Sequence, residues 1–268
     1  MSTKQDGEEL DERFWEAKDL LEDGDPESAL ELVEELLEDE PEDPDYLDLK
    51  GQALLDLGDV DEALVTFRQI LALDSSDVDA RAAIAETLLE TGDLDGAKKE
   101  ITRLQKDAPD FPGGFALLGY HHDIEGRAAE ADAAYGKAAE LDPEYEPPTR
   151  LDDGAFHEVV EAARSRVPPE FDKYFENVAI VVQDFPSLEM LRDPEHTLRM
   201  SHLGYFDGVP MDGGIATGGP LRVFVFKRGH ERAFEGEELI EEVNRTLLHE
   251  LGHALGLDED DMERLGLD

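Results

Sequence analysis

Cysteine is absent from this chain of 268 residues, which excludes disulfide bonds, thiolate nucleophiles and cysteine-ligated metals. Long apolar runs are missing as well, and no window approaches the roughly 18 apolar residues that a membrane span needs. The first residues contain no apolar stretch of the kind found in signal peptides. From these absences we expect a soluble, cytoplasmic protein that folds without covalent cross-links.

Basic residues are also scarce, with 24 Lys and Arg against 69 Asp and Glu, and the formal net charge is -45. A field of that sign repels nucleic acid phosphates and anionic lipid surfaces, so we expect neither a nucleic acid nor a membrane as partner. The same field loosely attracts basic polypeptides and divalent cations. A role in solubility, as in proteins from saline surroundings, would also explain the acidity.

A regular pattern runs through the first half of the chain. Glycine recurs every 34 residues, and an alanine follows each of these glycines five residues later. The residues of the pattern are Gly24, Gly58, Gly92, Gly126, Ala29, Ala63, Ala97 and Ala131. Prolines hold a further station, at Pro41, Pro109 and Pro143. We interpret the glycine as the end of one helix, the alanine as a close helix contact and the proline as the end of a second helix.

This 34-residue pattern resembles the tetratricopeptide repeat, or TPR. The resemblance implies an all-α solenoid of about four repeats over residues 12–145, in a domain formed by residues 1–145. It also implies that a peptide or partner protein binds along the concave face. Because the inner helices are rich in Asp and Glu, a basic or neutral partner fits better than an acidic tail. A scaffold without a dedicated ligand is the alternative.

The remainder of the chain has a different character. Residues 146–152 contain two consecutive prolines and are predicted to be a linker, and residues 153–268 to be a small separate domain. Helical spacing begins at Asp153, and three short runs predict strands. These are a buried strand at 178–182, a short strand at 203–206 and a strand with one well-buried face at 221–226. A long helix is expected from Gly236. The predicted fold class is therefore α+β overall: a helical solenoid, then a small domain with a short mixed sheet.

The segment His249-Glu250-Leu251-Gly252-His253 carries the clearest chemical signal. Histidines four residues apart lie on one face of a helix, so both imidazoles can reach one metal ion. The glutamate between them stands where it can take a proton from water. The core-facing stripe of this helix runs beside the histidines and comprises Ile240, Val243, Leu247, Leu251 and Ala254.

Gly256 can end this helix with a positive φ, and the carboxylates of residues 258–261 follow. This extended motif resembles the zincin-like metallopeptidases, and residues from about 153 to the C-terminus are similar to their minimal bacterial members. The resemblance implies a zinc-dependent peptidase of protein or peptide substrates, with His249 and His253 as zinc ligands and Glu250 as general base. The third ligand falls on Glu259, where the minimal family has Asp, with Asp260 as the fallback.

Several alternatives stay open from the sequence. The chain could be a TPR adaptor whose second domain binds metal without catalysis, or an assembly factor that uses only the repeat groove. His202 and Tyr205 are guesses for the donor that would stabilise an oxyanion. The adjacent His121 and His122 are predicted to serve packing or to lie at the surface.

Overall fold

The computed structural model of this chain describes residues 2–193, 198–210, 221–258, 261, 262 and 264, with only the backbone for residues 2–11, 170 and 177. The chain divides into two compact units, Met1–Tyr145 and Glu146–Asp268. Among the described helices, none combines the length and the apolar character that a membrane crossing requires.

The first unit is a succession of helix pairs, as the repeat pattern predicts. Its described residues form α1 (Ser2–Glu22), α2 (Pro26–Asp39), α3 (Pro44–Asp56), α4 (Val60–Leu73), α5 (Val78–Glu90), α6 (Leu94–Asp107), α7 (Pro112–Ile124) and α8 (Ala128–Leu141). Each repeated glycine follows the first helix of a pair with φ between 72° and 86°, where residues with a side chain are strained. Each repeated alanine is fully buried. The predicted helical repeat architecture is therefore confirmed.

Two further glycines allow the helices of a pair to approach closely. A Cβ atom added at Gly51 would lie 2.4 Å from the Phe67 ring, and one added at Gly119 would lie 2.5 Å from the Tyr135 ring. Both aromatic rings are buried, so neither can move aside into solvent. By contrast, a Cβ added at Gly136 on the exposed face of α8 meets nothing within 4 Å.

These positions give a matched pair of substitutions. We expect Gly119→Ala to destabilise the repeat unit by about 1–3 kcal/mol through overpacking. Gly136→Ala should instead stabilise it by about 0.5–1 kcal/mol, because alanine loses less entropy in a helix. Urea unfolding of the full chain, followed by helical circular dichroism, measures both. Equal stability of the two variants would contradict the close approach of α7 and α8.

The second unit is a small mixed sheet with helices. It contains α9 (Asp153–Arg164), α10 (Pro169–Asp172), β1 (Val178–Gln183), β2 (Gly204–Asp207), β3 (Leu221–Phe226), α11 (Lys227–Ala233) and α12 (Gly236–Ala254). Short 3₁₀ helices cover Phe175–Asn177 and Met190–Arg192. The strand order is β1-β3-β2, with β1 parallel and β2 antiparallel to β3. The predicted α+β class is confirmed.

The positions of the strands correct one expectation about burial and confirm another. Residues 178–182 were predicted to form a buried strand, but β1 lies at a sheet edge and Val182 is 40 % exposed. Residues 221–226 are predicted to have one well-buried face, and this is confirmed for β3, which is also the central strand. Its Val223 and Val225 lie in the core with α9 and α12, and Phe224 on the opposite face is also buried. Pairing partners decide which strand is central, and these partners are distant in sequence.

Candidate metal centre

Helix α12 is anchored by one apolar stripe. Its buried members pack with α9 and β3 and are Leu239, Val243, Leu247, Leu251 and Ala254. His249 and His253 lie beside this stripe and are half-buried. The helix is therefore held in place by side chains other than the histidines, and its packing does not depend on the two imidazoles.

The two imidazoles face each other. Nε2 of His249 lies 3.2 Å from Nε2 of His253, and the two rings are nearly perpendicular. Nitrogen ligands held about 2.0–2.1 Å from a tetrahedral zinc ion are separated by about 3.3 Å. The observed spacing matches that distance, and imidazole nitrogen suits zinc, so these residues fit a zinc ion.

Glu250 lies on the buried side of the same helix turn, against strand β2. Glu250 is 7 % exposed, and a Cβ atom added at Gly204 would lie 2.8 Å from Oε1 of Glu250. The same added atom would lie 2.5 Å from Cγ2 of Thr246, one turn earlier in α12. Only glycine therefore lets β2 approach the helix this closely. A cleft of ≈ 230 Å³ opens here, and His202, His249 and Glu250 are among its lining residues.

A buried histidine supports this contact from behind. His230 of α11 is fully buried, its Nδ1 lies 2.9 Å from the carbonyl oxygen of Phe226, and its Nε2 lies 3.0 Å from Oγ1 of Thr246. Nδ1–H therefore donates to the carbonyl, and Nε2 accepts from the Thr246 hydroxyl. Burial lowers the pKa of His230 to about 4. His230 is a neutral positioning residue, which fixes the helix turn that carries Glu250.

This arrangement makes stability depend on pH with a definite sign. Because the folded pKa of about 4 is below the ordinary 6.5, the unfolded chain binds the extra proton first as pH falls. We expect the second unit to lose about 2–3 kcal/mol between pH 7 and pH 4.5 from this one group. In His230→Asn that part of the slope should disappear, whereas the exposed His157→Asn should keep it. Urea unfolding at both pH values measures the difference.

The chain that leaves α12 returns to it. Gly256 ends the helix with φ of 77°, as predicted, and Met262 is buried against Gly252. A Cβ added at Gly252 would lie 2.5 Å from Sδ of Met262, which explains the glycine within the motif. The expected third ligand, Glu259, and its fallback, Asp260, lie outside the described residues. Both belong to the short segment between Gly256 and Met262.

The structure distinguishes the two candidates for an oxyanion donor by their positions relative to the cleft. His202 lines the cleft, and its Nδ1 accepts a hydrogen bond from the backbone N–H of Arg199 at 2.9 Å, so its ring proton is on Nε2. Tyr205 follows Gly204 in β2 and therefore points to the opposite face of the sheet. There it stacks on Phe224. The geometry favours His202 and places Tyr205 away from the cleft.

Two features were missed at the level of sequence. His230 lacks ligand spacing, and its contact with Thr246 joins two helices, so no local pattern announces it. His121 and His122 are predicted to serve packing or to lie at the surface, and His121 is indeed buried. Their cluster with Glu125, which could hold a metal ion, is not predicted from the sequence. An (i, i+4) spacing of His121 and Glu125 was the available signal.

Comparisons with known families agree with both halves of this description. Residues 175–267 match the family described as zincin-like metallopeptidase. Residues 16–78 and 54–119 each match a family described as tetratricopeptide repeat. The chain therefore combines tetratricopeptide repeats with a zincin-like metallopeptidase domain. None of the curated proteins matches this chain.

Solved structures, among them TPR proteins, are similar to about half of this chain. A thermophilic TPR protein from Thermus thermophilus is 20 % identical, with a TM-score of 0.46, over 50 % of this chain and 75 % of its own. MamA 41-end from Desulfovibrio magneticus RS-1 is 28 % identical, with a TM-score of 0.43, over 50 % of this chain and 76 % of its own.

Proposed function

We propose that this protein is a zinc-dependent metallopeptidase in which His249 and His253 hold the metal and Glu250 is the general base. The observation that carries the proposal is the 3.2 Å separation of the two Nε2 atoms, with Glu250 on the intervening turn beside a cleft. Glu259 is the proposed third ligand, with Asp260 as the fallback. The family match to a zincin-like metallopeptidase supports the same class of reaction.

The chain's own residues divide the chemistry between them. Zinc, when bound, polarises a peptide carbonyl and lowers the pKa of water to about 7. Glu250 accepts a proton from the attacking water and passes it to the leaving amine. His202 donates from Nε2 to the oxygen that becomes negative as water attacks. Gly204 and Thr246 hold Glu250 in position, and His230 fixes Thr246.

The repeats add a function of protein–protein interaction, and we propose that they recruit the substrate or a partner through their concave face. Carboxylates crowd the first helices of neighbouring repeats. Burial, and then the charges of Asp77, Asp79 and Asp45, raise the pKa of Asp48 even though Gln52 donates to it. A basic partner would relieve this repulsion, which supports a basic rather than an acidic segment as the bound sequence.

Zinc analysis of wild type and His249→Ala tests the central proposal. After dialysis against metal-free buffer, we expect His249→Ala to contain one zinc equivalent less than wild type and to have lost hydrolysis of a fluorogenic peptide library. The difference between the two proteins counts only the zinc at this histidine pair. Equal zinc in both would overturn the ligand assignment, and zinc without hydrolysis would overturn the peptidase.

A further inference from the structure

A second cluster of metal-ligand side chains lies in the repeat unit, at the end of α7. Nδ1 of His121 is 3.2 Å from Oε2 of Glu125, and Nδ1 of His122 is 3.8 Å from the same oxygen. One possible ligand atom from each of the three residues lies within 4.8 Å of the other two. Tetrahedral zinc ligands are about 3.3 Å apart, so small side-chain rotations would bring these atoms to that spacing.

The hydrogen bonding of His121 leaves a lone pair in this cluster. The residue is 1 % exposed, and its Nε2 lies 3.2 Å from the carbonyl oxygen of Leu94. Nε2 therefore carries the ring proton and donates it, as metal-ligating histidines commonly do with their second nitrogen. Nδ1 is then an acceptor, and among the described residues it has no hydrogen-bond partner. Beside it stands a carboxylate, which is also an acceptor, so a cation between them would satisfy both.

The positively charged Arg127 side chain already contacts two of these three residues. The Arg127 guanidinium contacts both Oε2 of Glu125 and Nδ1 of His122. Its side chain is 38 % exposed. Burial, followed by the charge of Arg127, lowers the pKa of His122 and so favours its neutral form. Neutral imidazole is the form that binds metals.

The turn between the two helices of the last repeat brings these groups together. Glu125 follows the last residue of α7, Gly126 turns the chain with φ of 72°, and Arg127 precedes α8. His121 reaches across to Leu94, the first residue of α6. An ion held by the three side chains would therefore join the end of α7 to the turn that follows it, while His121 remains bonded to α6.

We propose that His121, His122 and Glu125 form a second binding site for a divalent transition metal, with Arg127 as its intramolecular competitor. Two imidazole nitrogens and one carboxylate suit zinc, cobalt or nickel rather than magnesium. The site stabilises the last repeat when it is filled. It is independent of the peptidase proposal, because none of its residues belongs to the second unit.

The experiment uses the full chain carrying His249→Ala and His253→Ala, so that the first metal pair is absent. Cobalt(II) is titrated in excess magnesium, which occupies the acidic surface, and binding is followed by calorimetry and visible absorption. We expect one cobalt per chain, with absorption bands typical of imidazole ligation. Adding His121→Ala should abolish the bands, and adding Glu125→Gln, a milder change at a partly exposed position, should weaken binding.

Arg127→Ala is the sharpest variant, because a merely structural cluster would not gain affinity. We expect it to tighten cobalt binding by about 5-fold, the value of a partly exposed ion pair. Arg103→Ala is the matched control, since Arg103 pairs with Glu100 in α6 and should leave binding unchanged. Absence of cobalt binding, binding insensitive to Glu125→Gln, or weaker binding in Arg127→Ala would overturn the proposal. None of these outcomes bears on zinc at His249.

Discussion

Replacing Glu250 by glutamine will lower peptide hydrolysis by about 10²- to 10⁴-fold, while zinc at His249 and His253 stays bound. Glutamine has the same shape as glutamate, so it keeps the packing against Gly204 and Thr246 but cannot accept the proton of the attacking water. The kcat/KM for a fluorogenic peptide and the zinc content of the same preparation measure the two parts of this result.

A matched control lies on the same helix. Glu241 is exposed and precedes the motif by more than two turns, so Glu241→Gln removes the same charge far from the cleft. We expect this variant to keep wild-type activity. If Glu250→Gln hydrolysed the peptide as fast as Glu241→Gln, Glu250 would not be the general base. If Glu250→Gln lost its zinc, its effect would have to be assigned to the metal instead.

Local signals predicted much of the fold. The repeated glycines show this. At each of them the backbone has a positive φ after a helix, which glycine adopts without strain whatever its neighbours are; these residues are Gly24, Gly58, Gly92 and Gly126. The metal pair is equally local, because a separation of four residues on a helix places two side chains on one face. Such features can be predicted from the sequence without any knowledge of tertiary contacts.

Three of the features that the sequence does not predict depend on pairing between distant segments. Whether β1 or β3 is central follows from the strand order, and the alternation of apolar residues alone does not determine it. The contact of His230 with Thr246 joins residues 16 positions apart on different helices. Likewise, the role of Gly204 is visible only when Glu250 is placed against it.

The close approach of β2 to α12 predicts a second large effect on catalysis, from a substitution at Gly204, which has no reactive side chain. Gly204→Ala should lower kcat/KM by about 10²-fold, the cost of a displacement of about 1 Å in an active site. The new methyl would lie 2.5 Å from Cγ2 of Thr246 and 2.8 Å from Oε1 of Glu250, so the general base must shift. The three atoms nearest to the added methyl belong to Thr246 and Glu250 and not to the two histidines, so we expect the zinc content to be unchanged.

A second substitution separates this steric cause from general unfolding. Thr246→Ser removes Cγ2, the atom nearest to the added methyl, and keeps the hydroxyl that donates to His230. In the Gly204→Ala background it should therefore restore part of the lost activity, although the clash with Glu250 remains. Because the two sites are in contact, their effects should be strongly non-additive in a double-mutant cycle. Additive losses, or a Gly204→Ala variant with full activity, would mean that the approach of β2 to Glu250 does not position the general base.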